Sequence, residues 1–189
     1  MSSSSNRYVI AVDVGVKNLG LAIFDLQTKS LAVWGRYSIC KAGPYMPSKN
    51  VEYVRALIQE HATYFANAHK VLIERQMRVN MRIIESVIQA LYFEKCIIMP
   101  AQIVKMHFHL NRCNYKANKR AAVDYVALRF TDELPVLLSN CAEMSLAWAQ
   151  ESKQDDLADS LLMVLYYLDT YLYSDNEVVC APAMMEQEQ

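Results

Sequence analysis

Residues 8–25 read YVIAVDVGVKNLGLAIFD, and their pattern sets the architecture. Tyr8–Val14 is a short run of β-branched and apolar residues, as in a strand buried on both faces, and Asp13 interrupts it. Gly15 and Gly20 punctuate a reversal, after which LAIFDL (21–26) reads as a second strand and LAVWGRYSI (31–39) as a third. The chain therefore opens as an antiparallel meander. Beyond the AGPYMPS loop, Val51, Val54, Leu57, Ile58, Ala62 and Phe65 form a helical stripe over 51–68. VLIE (71–74) predicts a buried strand ending at Glu74, residues 81–94 a second helix, and CIIM (96–99) a strand stopped by Pro100. A polar, basic connection leads to a helix over 118–130, and an acidic helix from about 154 to 173 closes the domain. Strands in a run, then helices and strands alternating, predict an α/β fold with a mixed sheet flanked by helices.

A chain of 189 residues is read as one domain, over 8–175, with a flexible leader at 1–7 and an acidic tail at 176–189. No apolar run approaches the roughly 18 residues of a membrane span, and the polar MSSSSNR start is not a secretory signal. The five cysteines are scattered with no CxxC pair, which argues against disulfide or zinc-ribbon scaffolds and for a reducing compartment. His107 and His109 form an HxH with no acidic neighbour in sequence, a poor metal site. The near-neutral total charge hides an asymmetry. Lys95, Lys105, Arg112, Lys116, Lys119 and Arg120 occupy a stretch free of acids, whereas from Thr131 onward twelve acids face one base, Lys153. That distribution suits a phosphate-tracking surface beside a carboxylate-rich site, and equally a solvated helix face with an acidic terminus.

The chemistry lies in the acids. In KQDDLADS, Asp156 and Asp159 stand three apart on an apolar helix and so share a face. Two carboxylates among leucines repel each other and are costly to desolvate unless a cation joins them, and oxygen donors suit magnesium or manganese. Asp13 and Glu74 are further acids within or at the end of apolar strands, where an uncompensated charge is costly. Local partners are available for each: the Gly15 turn for Asp13, and Arg75 or Arg78 for Glu74. Residues 13–22 have the form DxGxxNxGxA, and a DxG turn also opens actin-like ATPases and sugar kinases. Those are two-lobed proteins that need more chain than this.

Together, IAVDVGVKNLGLAIFD, VLIERQ and KQDDLADSLLM resemble the three acidic motifs of the RuvC-type Holliday junction resolvases, above all the poxvirus branch, over roughly residues 8–173. The resemblance implies a ribonuclease H-like fold, a homodimer, and paired nicking of four-way or other branched DNA with Mg2+, for which Mn2+ would substitute. It implies no small-molecule cofactor and no membrane. Asp13 matches the first-strand aspartate, Glu74 the glutamate of the second motif, and Asp156 and Asp159 the final DxxD pair, which makes these four the catalytic metal ligands. Asp155 matches neither position. NYKANKRAAVDYV looks like the family's lysine-bearing stretch, so Lys119 is expected at the scissile phosphate and Lys116, Lys119 and Arg120 on the DNA, with Arg78 a further expected DNA contact. Bacterial RuvC carries an aromatic residue where this chain has Met77, so base stacking there is not implied. The helix over 81–94, with more apolar positions than one buried face needs, is the expected dimer surface. Poxvirus ancestry implies resolution of joined viral genomes in the host-cell cytoplasm. Two rival readings are a YqgF-like nuclease acting on RNA or other branched DNA, and a junction-binding module without catalysis.

Overall fold

Alternation along the strands sorts the core into two layers. The computed structural model describes residues 6–41, 43–132 and 148–173. Five strands form one sheet: β1 (Tyr8–Asp13), β2 (Leu19–Asp25), β3 (Ser30–Tyr37), β4 (Ala68–Glu74) and β5 (Cys96–Met99). Their order is β3-β2-β1-β4-β5, with β1, β2 and β3 antiparallel and β1, β4 and β5 parallel. This is the mixed sheet that the meander and the later strands predict.

Successive side chains point to opposite faces of a strand. Ile10, Val12, Val71 and Ile73 therefore pack with α1 (Asn50–Glu60), α2 (Ala62–Ala66) and α3 (Val79–Leu91). Val9, Ala11 and Leu72 pack on the other face with α4 (Ala101–His107), α5 (Tyr115–Asp132) and α6 (Gln154–Tyr167). Ile10, Leu72 and Leu161 are wholly enclosed, and truncating any of them to alanine would cost about 2–5 kcal/mol.

Three expectations need correction. The single helix over 51–68 is broken at His61, whose backbone (φ −115°, ψ 30°) leaves the α-helical region between α1 and α2. The connection after Pro100 is not irregular, because it contains α4, seated through buried Val104 and Phe108. Last, α6 ends at Tyr167 and continues as a π-helical turn over Leu168–Leu172. Residues 1–5 of the leader, the tail beyond 173, Cys141 and Cys180 lie outside the described residues.

Candidate metal centre

Register delivers the first two acids to one place. Ala11 pairs with Leu72 and Val12 with Ile73, so Asp13 and Glu74 follow as neighbours at the carboxyl ends of adjacent parallel strands. Asp13 continues the Val9–Ala11 side and Glu74 the Leu72 side, which is the face covered by α6.

The third and fourth acids arrive because α6 comes very close to β2. Gly20 pairs with Asp13 across the β1–β2 ladder. A Cβ on Gly20 would stand 2.1 Å from the backbone oxygen of Asp156 and 3.4 Å from the Asp13 Cβ. Only glycine admits the first turn of α6 at that distance. Gly15 has a separate role, since a Cβ there would strike the Asn18 carbonyl within the turn. Trp34 of β3 holds the helix in place, donating from Nε1 to the Leu157 carbonyl at 3.0 Å and stacking on Trp148 with ring centroids 5.2 Å apart. Arg36 ties the same corner together, bonding Asn18 Oδ1 at 2.7 Å and pairing with Glu151 at 3.0 Å.

The result is a buried concentration of negative charge. Burial first, then a carboxyl–carboxyl hydrogen bond to Glu74 and the charges of Glu74, Asp159 and Asp156, push the Asp13 carboxyl well above its usual range. Asp156 is pushed up to about 6 by burial and by neighbouring Asp155, against the opposing charges of Lys119 and Lys153. Asp159 is raised by burial, with Lys105 acting against the shift and Glu74 with it. The four acids singled out in the sequence thus interact at one edge of the sheet.

The local partners suggested by sequence are not those found. Glu74 accepts a hydrogen bond from Gln76 Nε2 at 3.2 Å. Lys119 bonds Asp155, the acid that matches no family position, through a short ion pair. Burial would lower the Lys119 pKa, but hydrogen bonds to Asp155 and Tyr115 raise it overall. Burial would likewise raise Asp155, and Lys119 outweighs it. Lys116 and Arg78 are exposed, and Arg120 lies 3.7 Å from Asp124 one helical turn on, a solvated pair of little energetic weight.

Sequence reasoning missed Lys105. It is a buried cation on α4, and its Nζ lies 3.1 Å from Asp159 Oδ1. A lysine between buried Val104 and buried Phe108 was the available signal, but a helix of seven residues is too short for periodicity to separate from a basic linker. His107 also has an acidic partner, Asp169, at 3.1 Å from the far end of the α6 segment.

The donor set suits a hard divalent cation. Asp156 Oδ2 is buried with no hydrogen-bond partner among the described residues. Such an orphaned acceptor is costly, and an ion would satisfy it while relieving the repulsion around Asp13. Among the described residues no three His, Cys, Asp or Glu side chains already converge as ion ligands. Instead Asp13 bonds Glu74, and Asp159 is drawn to Lys105. A bound ion would compete with the proton in the first pair and with Lys105 in the second.

A family model described as Poxvirus A22 protein matches residues 7–173. The structure is similar to the yeast mitochondrial Holliday junction resolvase Ydc2, with a TM-score of 0.64 and 19% identity over 84% of this chain and 78% of that one. It is also similar to Thermus thermophilus RuvC in complex with a Holliday junction substrate, with a TM-score of 0.51 and 18% identity over 85% and 94% of the two chains. A second Thermus thermophilus RuvC structure gives a TM-score of 0.52 at 18% identity, with the same coverage of the two chains. No curated protein matches the sequence. At such identities the structural likeness speaks for the fold, which is RuvC-like and ribonuclease H-like. The sequence match spans both the strand bearing Asp13 and the helix bearing Asp159, and the chain belongs to the poxvirus A22 protein family.

Proposed function

We propose that this protein is a structure-selective endonuclease that resolves four-way DNA junctions by paired, metal-dependent phosphodiester hydrolysis. The observation that carries this reading is the meeting of Asp13, Glu74, Asp156 and Asp159 at one edge of the sheet, with Lys105 and Lys119 beside them. The substrate class is supported by the solved structures it resembles, a Holliday junction resolvase and a RuvC bound to a Holliday junction.

The four carboxylates would hold the ion or ions, Mg2+ in preference, with Mn2+ able to substitute. When bound there, a divalent cation supplies Lewis-acid charge and activates water for in-line attack. The chain's own residues do the remaining work. Asp13 and Asp156 must give up protons before they can ligate, and both hold them more tightly than ordinary aspartates. Lys105 and Lys119 would place positive charge where negative charge builds on the phosphate during attack. Hydrolysis in this arrangement would leave a 5′-phosphate and a 3′-hydroxyl. Exposed Lys116, Arg120 and Arg78 would track the DNA backbone without reading bases.

Two symmetric cuts call for two copies. α3 buries Ile84 and Ile88 against the sheet yet also exposes Val79 (74%) and Ile83 (41%). That second apolar side, with Arg82, Ser86, Val87 and Ala90, lines a shallow groove, and it would receive α3 of a second copy. The natural setting would be the cytoplasm of an infected cell, with viral genome concatemers as substrate. No helix among the described residues is long and apolar enough to cross a membrane.

The test is a nicking assay on a synthetic junction in Mg2+ or Mn2+, with cut positions mapped on both strands. Symmetric nicks, with linear duplex largely spared, are expected. Asp13→Asn and Asp159→Asn should abolish cutting while junction binding survives, and parental rates in either variant would refute the site. Equal cutting of RNA or flap substrates would favour a broader nuclease.

A further inference from the structure

Glu85 is an acid in the middle of α3, and its surroundings do not match its charge. It is 7% exposed, next to Ile84 on the face that packs on the sheet. Acids are rarely buried so far without a cation, yet no ion pair reaches Glu85 among the described residues. Its partner is a backbone amide: the Gln76 N–H donates to Glu85 Oε2 at 2.7 Å. Gln76 is itself only 8% exposed. Its side-chain Nε2 donates to Glu74 Oε2 at 3.2 Å and lies 3.3 Å from the Glu74 backbone oxygen. A line of hydrogen bonds therefore runs from α3, through the loop after β4, into the carboxylate cluster.

Any acceptor would serve to anchor a loop. What distinguishes this one is the residue it anchors, whose side chain grips Glu74 at two points. Glu74 is the last residue of its strand and only half-buried, so its long side chain could otherwise turn to water and lose its place beside Asp13. A charged acceptor makes a shorter and stronger bond than a neutral one, which suits a part that must not move.

We infer that Glu85 and Gln76 are positioning residues for Glu74: the buried Glu85 carboxylate fixes the Gln76 backbone, and the Gln76 amide holds the Glu74 carboxylate against Asp13. The inference rests on Glu74 being an ion ligand of the proposed nuclease. Neither Glu85 nor Gln76 is among the proposed ion ligands or DNA contacts.

The experiment combines calorimetric titration with Mn2+, junction binding in chelator, and nicking kinetics, on the full chain. Gln76→Ala keeps the backbone amide and should fold. It is expected to weaken Mn2+ binding and lower kcat by about 10–100-fold, the usual cost of losing an outer partner of a ligand, with junction affinity unchanged. Glu85→Leu should behave alike, and the double variant should be no worse than either single one, because both break the same line. Glu85→Gln retains an oxygen for the Gln76 amide and should restore Mn2+ affinity to within about threefold of the parent. A purely structural anchor would lower stability and leave Mn2+ affinity alone, and that result in Gln76→Ala overturns the inference even if Glu85→Leu fails to fold. A parent that nicks, beside a dead Glu74→Gln and a fully active Gln76→Ala, sinks this inference only. A parent that neither binds Mn2+ nor nicks sinks the nuclease reading and takes this inference with it.

Discussion

Removing the charge of Asp156 should stabilise the ion-free protein, and only at neutral or alkaline pH. Its carboxyl, ordinarily near 3.8, is pushed up to about 6 by burial and then by Asp155. At about 1.4 kcal/mol per pH unit, that gap would be worth about 3 kcal/mol in a sealed site. Water reaches this half-buried side chain, so about 1–2 kcal/mol is the realistic figure. The sign follows from proton binding: the folded chain holds this proton more tightly than the unfolded chain does. The penalty is therefore absent below about pH 4, grows as pH rises toward 6, and is complete above that. Asp156→Asn removes the titration and can hydrogen-bond to the neighbouring carboxylates. In EDTA at about pH 8 the variant should melt higher than the parent, by about 2–4 °C for each kcal/mol in a chain of this size, and the gain should vanish near pH 4. Adding Mg2+ should stabilise the parent more than the variant, since the orphaned Oδ2 is gone. A variant less stable than the parent at pH 8, or equally stabilised at both pH values, would refute the electrostatic account of the site.

Gly20→Ala should destabilise the fold by about 1–3 kcal/mol in urea titration, because the new methyl strikes the Asp156 backbone. It should also cut nicking activity by pushing α6 away from Asp13. Lys105→Met leaves Asp159 without the cation that opposes its raised pKa, so the acid limb of the pH–rate profile should move upward, as read from kcat between pH 5 and 9. Ile83→Asp puts a charge on the exposed side of α3, and on the proposed dimer through α3 light scattering should report a dimer for the parent and a monomer for the variant.

Much of the site was legible from single residues. An acid at the third position of an alternating face, Asp13 after Val9 and Ala11, must share that face with the helix that covers it, and Glu74 after Leu72 obeys the same rule. The DxxD spacing likewise put Asp156 and Asp159 on one side of α6. Lys105 escaped because α4 is too short to announce itself, and the Lys119–Asp155 pair because the two residues belong to different helices. The second glycine of the motif suggested a tight turn, yet Gly20 serves the approach of a helix that begins well over a hundred residues later.

By itself the sequence determined the strands, their faces and the acids those faces carry, because side-chain alternation and helical periodicity are properties of local backbone geometry. Tertiary structure alone decided which charges meet. Asp13 beside Glu74, Lys105 against Asp159, and the line from Glu85 to Glu74 depend on strand register, loop course and the depth at which α6 docks. Those are set by packing summed over the whole core, and no spacing along the chain encodes them.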